Sequence, residues 1–323
     1  MTSSAQRSSI LAEPPKQPRR IFVNRNLRMD TVTAVGFDMD YTLARYRRER
    51  LERLGHELTI DKLVERGYPE GIRDLKYDPR FVIRGLVIDK ELGNILKLDR
   101  HRHVGRAYHG RELLSREKRR ELYRTEKIDF GPPRFAHMDT LFALPEMCLF
   151  ADLVNYFERH KHADRNPWQV FDDVRESIDE AHRDDTLKSI VKANIAEYIE
   201  KDDELATTLH KMRSAGKKLF LLTNSYADYT RAVMTYLLDG QLSEYASWQS
   251  YFDLVIVGAR KPGFFNGSEP FAEVNENNEP VQKPATNLQK GKIYQGGNRR
   301  ELEQVMKITT GDEILYVGDH IYG

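Results

Sequence analysis

Four times along the chain a short apolar run ends abruptly in a polar signature. "TAVGF" leads into Asp38-Met39-Asp40, "KKLFLL" into Thr223-Asn224-Ser225, "FDLVIV" into Gly258-Ala259-Arg260-Lys261, and "EILYV" into Gly318-Asp319-His320. Unbroken apolar runs of this length predict strands buried on both faces, the habit of parallel sheets covered by helices. Helical periodicity fills the intervals: "DDELATTLHKMRSAG" has Gly216 as its stop, and "NRRELEQVMKI" has Asn298 as its N-cap. The alternation predicts an α/β fold with a Rossmann-like parallel core. In such sheets the ligand lies beyond the carboxyl ends of the strands, where all four signatures would meet.

Residues 47–200 interrupt this alternation. They open with a charged segment, continue through "FVIRGLVIDKELGNILKLD", a predicted hairpin turning at Gly93-Asn94, and end in helices that include "WQVFDDVRESIDEAHRDD". The expected organisation is a disordered N-terminal arm over 1–20, a catalytic core made of 21–46 and 201–323, and an inserted cap over 47–200. The stretch 266–290, "NGSEPFAEVNENNEPVQKPATNLQK", reads as a polar loop.

Composition narrows the partners. With 51 basic and 50 acidic side chains among 323 residues the net charge is +1, which gives no long-range field to gather nucleic acid or an anionic membrane. No apolar stretch approaches the ~20 residues that span a bilayer. Cys148 is the only cysteine, which excludes an internal disulfide and fits a reducing, cytoplasmic setting. In the opening "MTSSAQRSSILAEPPKQPRR", Glu13 and the prolines favour a disordered arm over a transit peptide.

Two carboxylates two residues apart at a strand end need a chemical purpose. Magnesium takes hard oxygen ligands, usually one or two carboxylates plus substrate phosphate, so Asp38, Asp40 and Asp319 are candidate metal residues. Asp38 beside a metal is a candidate nucleophile toward phosphorus, and Asp40, pointing the same way along an extended segment, a candidate acid/base. This requires Asp40 to be protonated while Asp38 is ionised. Thr223 and the N–H groups around Asn224 would hold phosphoryl oxygens, and Lys261 would offset their charge. Each signature alone has a bland reading: D-x-D arises by chance, Lys261 reads as a solvated loop lysine and Thr223 as a turn residue. Four in order, each behind an apolar strand, form a combination that points to phosphoryl chemistry.

Arg175, Asp179 and His182 fall at i, i+4 and i+7 on one helix face. Pattern alone favours a surface salt bridge. The alternative is a reader of 6-oxopurines, whose O6 and N7 acceptors suit arginine and whose N1–H suits a carboxylate. His101, His103 and His109 carry an H-x-H pattern that can chelate zinc, but they follow a hairpin among arginines, which favours a solvated turn.

The segments D-M-D-Y-T-L-A, T-N-S, R-K-P and G-D-H-I-Y-G together resemble the haloacid dehalogenase-like phosphatases, and specifically the cytosolic purine 5′-nucleotidase family. The likeness runs from about Ile21 through "IFVNRNLRMD", "GYPEGI", "RGLVIDKELGNILKLD", "TLFALPE", "DVRESID" and "MTYLL". It implies a magnesium-dependent phosphatase of purine nucleoside 5′-monophosphates, with 6-oxopurines preferred and phosphotransfer to nucleosides as a second outcome. By resemblance Asp38 is the nucleophile, Asp40 the acid/base, Thr223 and Lys261 the phosphate clamps and Asp319 a metal ligand. Arg175 and Asp179 match the family's base-recognition pair, His182 and Lys188 further substrate-side positions, and Phe142 the base-stacking phenylalanine. Members are often homo-oligomeric and purine-regulated. Two departures stand out: Ala143 replaces an asparagine that some members carry after that phenylalanine, and the acidic C-terminal tail is absent. The family pattern also runs on beyond Gly323 to a second aspartate, a helix and a strand, so the expectation is a C-terminally incomplete core with a weakened metal site. The competing reading is a catalytically impaired nucleotide-binding or scaffold protein on the same fold.

Overall fold

The first strand, β1 (Ala34–Phe37), is fully buried, and β2 (Arg45–Tyr46) follows it before the chain leaves the core. The structure, a computed structural model, describes residues 27–320 apart from 125, 127, 129–132, 161–164, 184 and 286. The arm expected over 1–20 and the last residues of G-D-H-I-Y-G therefore lie outside the described residues.

Between β2 and β8 the chain builds a second layer. In chain order it contains α1 (Arg48–Glu65), β3 (Leu86–Asp89), β4 (Asn94–Leu98), β5 (Val104–His109), β6 (Glu112–Leu113), α2 (Arg116–Tyr123), β7 (Phe135–Met138), α3 (Leu144–Arg159), α4 (Pro167–Arg183), α5 (Thr186–Ala193), α6 (Ile195–Tyr198) and β8 (Ile199–Glu200). Five of these strands form an antiparallel sheet in the order β6-β5-β4-β3-β7. Helices α1, α3 and α4 cover one face, with Ile88 and Ile95 packing against Leu63, Phe150 and Val174. The hairpin is present, but Asp89 pairs with Asn94, so the connection is residues 90–93 and Asn94 already belongs to the ladder. Gly93 at φ +67 supplies the left-handed residue that closes it. β2 and β8 pair antiparallel, joining the points where the chain leaves and re-enters the core.

The second half returns to α/β alternation with α7 (Leu205–Ser214), β9 (Lys218–Leu222), α8 (Ala227–Leu238), β10 (Leu254–Val257), α9 (Gly263–Asn266), β11 (Phe271–Val274), β12 (Pro280–Pro284), β13 (Ile293–Gly296), α10 (Arg299–Met306) and β14 (Ile314–Val317). Gly216, at φ +79, follows α7, and the Asn298 side chain accepts the Glu301 N–H at 3.0 Å as the N-cap of α10. The main sheet runs β12-β11-β13-β10-β9-β1-β14. The five strands from β13 to β14 are parallel to one another, whereas β11 is antiparallel to both its neighbours.

Alternation along the strands divides the core. Val35, Phe37, Leu219, Leu221, Val255 and Val257 pack with α7 and α8 residues such as Leu209, Val233 and Met234. Ala34, Phe220, Leu222, Leu254 and Ile256 pack with Phe264, Leu302 and Met306 on the opposite face. Both faces are covered at β1, β9 and β10, hence their continuous apolar runs, whereas β14, expected to be buried on both faces, lies at the sheet edge and is only partly buried. Gly36 in β1 makes room for the Phe220 ring, since a Cβ there would come within 2.2 Å of it.

Two further expectations are corrected. The sheet has a fifth parallel strand, β13, which the apolar pattern missed because it contributes only Ile293 and Tyr294 to the core. The expected polar loop over 266–290 contains β11 and β12, an antiparallel edge hairpin that turns at Asn275–Asn278. Its outer strand begins and ends on proline, a residue confined to edge strands because it cannot donate to a further ladder. Among the described residues, no helix is long and apolar enough to cross a membrane.

Candidate active site

Parallel pairing places the four signatures side by side. The order β10-β9-β1-β14 makes Lys261, Asn224, Asp38 and Asp319 neighbours at the carboxyl ends. The Asp38 N–H donates to the Val317 carbonyl at 2.9 Å. All four line one cavity of about 900 Å³ that opens between the sheet and the second layer. Across it stand Phe142, Arg175, Asp179, His182 and Lys188, so the candidate base-side residues and the candidate phosphoryl-side residues share a single chamber.

Asp38 is mostly buried and its Oδ2 lies 2.6 Å from Lys261 Nζ. Burial pushes its carboxyl above the ordinary range, Lys261 opposes this, and Asp40 adds to it. Lys261 is itself fixed, donating to Tyr316 Oη at 2.7 Å and to the Leu222 carbonyl at 3.1 Å. Asn224 grips the backbone of Lys261 from both ends of its amide: Oδ1 accepts the Lys261 N–H at 2.6 Å and Nδ2 donates to the Lys261 carbonyl at 3.1 Å. Thr223 sits one layer back. It is fully buried, and its hydroxyl accepts the Ser225 N–H at 3.1 Å, so the cavity wall at this strand end is Asn224 and Ser225.

Asp40 is framed by two hydroxyls, with Oδ1 accepting from Tyr46 at 2.6 Å and Oδ2 from Ser225 at 2.7 Å. Tyr46 Oη lies 2.7 Å from Tyr229 Oη. These three partners were not among the predicted site residues; Ser225 stood in the quoted T-N-S, whereas Tyr46 and Tyr229 carry no local pattern that separates them from core tyrosines.

Asp319 also lies above the ordinary carboxylate range, through burial first, with the Arg84 charge opposing and Asp40 adding. Arg84 donates to the Asp319 carbonyl, and His320 Nε2 lies 2.9 Å from Asp139, so the second layer touches this loop directly. Three carboxylates thus gather near one lysine, and the Asp40 charge pushes both Asp38 and Asp319 upward. That excess of negative charge fits a divalent cation held by Asp38 and Asp319 together with substrate oxygens. Among the described residues no three His, Cys, Asp or Glu side chains form a self-sufficient metal cage.

On the opposite wall Phe142 meets Tyr41 edge-on at 4.8 Å and His182 at 5.8 Å. His182 is held below its ordinary value, mainly by burial and then by the Lys188 charge, and is therefore neutral at pH 7. Arg175 does not take Asp179 as its ion-pair partner. Its Nε lies 2.9 Å from Oε1 of Glu146, close enough for charge attraction but without hydrogen-bond alignment. The surface salt bridge that helical spacing favoured is thus replaced by a contact from α4 to α3. Glu146 was missed, although it is the only charged residue in "LFALPEMCLFA", and an isolated charge in an apolar run is a sign of a buried polar group. His101 and His103 lie in an exposed turn, while His109 pairs with Asn94 and Glu158.

Glu146 also makes stability depend on pH. It is 1% exposed, and burial pushes its carboxyl from 4.5 up to about 7, with Arg175 opposing and Asp179 adding. A carboxyl whose folded value exceeds its unfolded one stabilises the fold fully below the unfolded value, and that stability is lost as pH rises through the folded value. At about 1.4 kcal/mol per tenfold in proton affinity, the loss above pH 7 is a few kcal/mol. Wild type is expected to lose melting temperature relative to Glu146→Gln between pH 4.5 and pH 7.5; parallel melting curves would remove Glu146 as a buried titrating group.

This is an α/β protein with a carboxylate and lysine site at the carboxyl ends of a parallel sheet, facing an aromatic and arginine-bearing wall. Residues 21–323 match the pattern of the 5′ nucleotidase family, and the chain belongs to that family. A 5′-nucleotidase domain-containing protein of Dictyostelium discoideum is 33% identical over 316 residues, which cover 96% of this chain and 53% of that protein. The chain thus spans about half the length of that relative.

Proposed function

We propose that the chain is a magnesium-dependent 5′-nucleotidase that hydrolyses purine nucleoside 5′-monophosphates, 6-oxopurines first, on a haloacid dehalogenase-like core capped by residues 47–200. The observation that carries this reading is the shared cavity, with Asp38, Asp40, Lys261 and Asp319 on one wall and Phe142, Arg175, Asp179, His182 and Lys188 on the other. Magnesium, taken by Asp38 and Asp319, would supply charge neutralisation for the phosphoryl oxygens.

Asp38 attacks phosphorus with one carboxylate oxygen. The new O–P bond forms as the bond to the 5′-oxygen breaks, and Asp40 gives its proton to that leaving oxygen. Asp40 then takes a proton from water, which attacks the aspartyl phosphate, and the Asp38 O–P bond breaks to free phosphate. A nucleoside hydroxyl in place of water gives phosphotransfer by the same step. Hydroxyls of Tyr46 and Ser225 suit both stages, since each donates to an ionised Asp40 and accepts from a protonated one. Asn224 holds Lys261 in place, and Thr223 shapes the turn from behind. The hydroxyls on both Asp40 oxygens suit it to proton transfer, and the carboxylates of Asp38 and Asp319 stand beside it as the principal metal candidates.

Phe142 offers a stacking face indifferent to base identity, so selection falls to the polar wall. Arg175 suits the O6 and N7 acceptors of hypoxanthine or guanine, and a carboxylate of the same wall, on which Asp179 and Glu146 both stand, suits N1–H; adenine presents an amine and a bare N1 instead. A site with buried polar groups rejects a base that leaves them unpaired. The kcat/KM for inosine monophosphate is expected to exceed that for adenosine monophosphate by about 10²-fold. Phosphate release from both, with and without magnesium, tests the reading; equal values would sink the base assignment, and no release from either would sink the hydrolase.

A further inference from the structure

Glu146 lines the same cavity, yet the proposed reaction gives it no task. It opens α3 in the turn after Phe142 and Ala143. Its carboxyl has one charged partner among the described residues, the Arg175 Nε, and that contact lacks hydrogen-bond alignment, so Oε1 is buried without a donor. Were Glu146 present only to fix Arg175, the exchange would be poor: a carboxylate is taken out of water for one misaligned contact to an arginine that is 40% exposed. A carboxylate can accept several donors at once, and buried acceptors in native proteins find them.

We propose that Glu146 is a base-reading residue of this cavity: its carboxyl, beside Phe142 and Arg175, accepts ring and exocyclic N–H donors of a 6-oxopurine, one from hypoxanthine and two from guanine. The inference rests on the nucleotidase reading for the location of the base. It adds a preference among substrates, guanine above hypoxanthine and both above adenine. Guanine presents N1–H and the C2 amine side by side, a match for the two oxygens of one carboxylate. Adenine turns the lone pair of N1 toward the same oxygens. Arg175 keeps its terminal N–H groups for O6 and N7 while its Nε faces Glu146. The charged groups acting on Glu146 are Arg175 and Asp179, both on α4; accepting N–H donors requires the ionised form, so base binding near pH 7 releases a proton.

Binding of guanosine, inosine and adenosine, measured by calorimetry at pH 7.5 on wild type and Glu146→Gln, needs no turnover. Glu146→Gln is expected to weaken guanosine by about 100-fold and inosine by about 10-fold while leaving adenosine within about twofold. An equal loss for all three nucleosides, an unchanged guanosine affinity, or no binding of any of them overturns the proposal. A second measurement uses wild type alone: at pH 7, in buffers of different ionisation enthalpy, guanosine binding releases a proton and adenosine binding does not. Absence of that difference also overturns it. A chain that binds guanosine in this way yet frees no phosphate from its monophosphate would sink the hydrolase reading and leave the role of Glu146 standing.

Discussion

Asp38→Asn is expected to bring phosphate release from inosine monophosphate below about one-thousandth of wild type, the scale on which removal of a nucleophile acts, while nucleotide affinity changes little. Asparagine keeps the shape of the side chain and can still accept the backbone N–H of Met39, which Asp38 accepts at 2.8 Å. What it loses is the charge. An amide oxygen does not form a stable bond to phosphorus, and it is a weaker magnesium ligand than a carboxylate. The fold should tolerate the change, because a partly desolvated anion that burial already disfavours is replaced by a neutral group. Steady-state release at saturating magnesium, beside calorimetric binding of the nucleotide, decides it. A folded variant with more than about one per cent of wild-type turnover would exclude covalent catalysis through Asp38.

The parts of this architecture that were legible in the sequence are those where one physical demand dominates. Apart from Lys218 at the start of β9, strands β1, β9 and β10 are buried on both faces, so their side chains have no freedom to be polar. Their neighbours were harder. β13 has only a short apolar stretch, and the hairpin of β11 and β12 lies at the sheet edge, where one side faces water and composition approaches that of a loop. The same contrast divides the site. Asp38, Lys261 and Asp319 follow apolar strands at fixed places, and the rule that ligands sit beyond strand ends brought them together. Tyr46 reaches Asp40 from six residues along the chain, and Tyr229 meets Tyr46 across 183 residues through the folded arrangement of β2 and α8, a contact that no local spacing encodes. Arg175 and Asp179 illustrate the limit of helical periodicity: the spacing is right for a pair, but α3 brings Glu146 against Arg175 and takes its place.

Lys261→Met is the other substitution with a large expected effect. The ammonium of Lys261 is held by three oxygens, from Asp38 at 2.6 Å, Tyr316 at 2.7 Å and Leu222 at 3.1 Å, while Asn224 fixes its backbone. Such a group is in place before the substrate arrives, so it need not reorganise as charge moves onto the phosphoryl oxygens in the transition state. Methionine fills similar space without donors or charge. It leaves Asp38 without the ammonium that lies 2.6 Å from it, and it leaves the phosphoryl group without its fixed positive partner. Loss of one such donor costs on the order of 10²–10³ in kcat, and the upper end is expected here because Asp38 loses its partner at the same time. The change in KM should be far smaller, since Phe142 and the arginine wall still hold the base. Lys261→Arg separates charge from placement: a planar guanidinium keeps the charge but cannot occupy a pocket shaped by three oxygens around a single nitrogen, so it should restore less than about a tenth of wild-type kcat. Full activity in the arginine variant would mean that charge alone suffices, and a methionine variant with wild-type kcat would remove Lys261 from the chemistry.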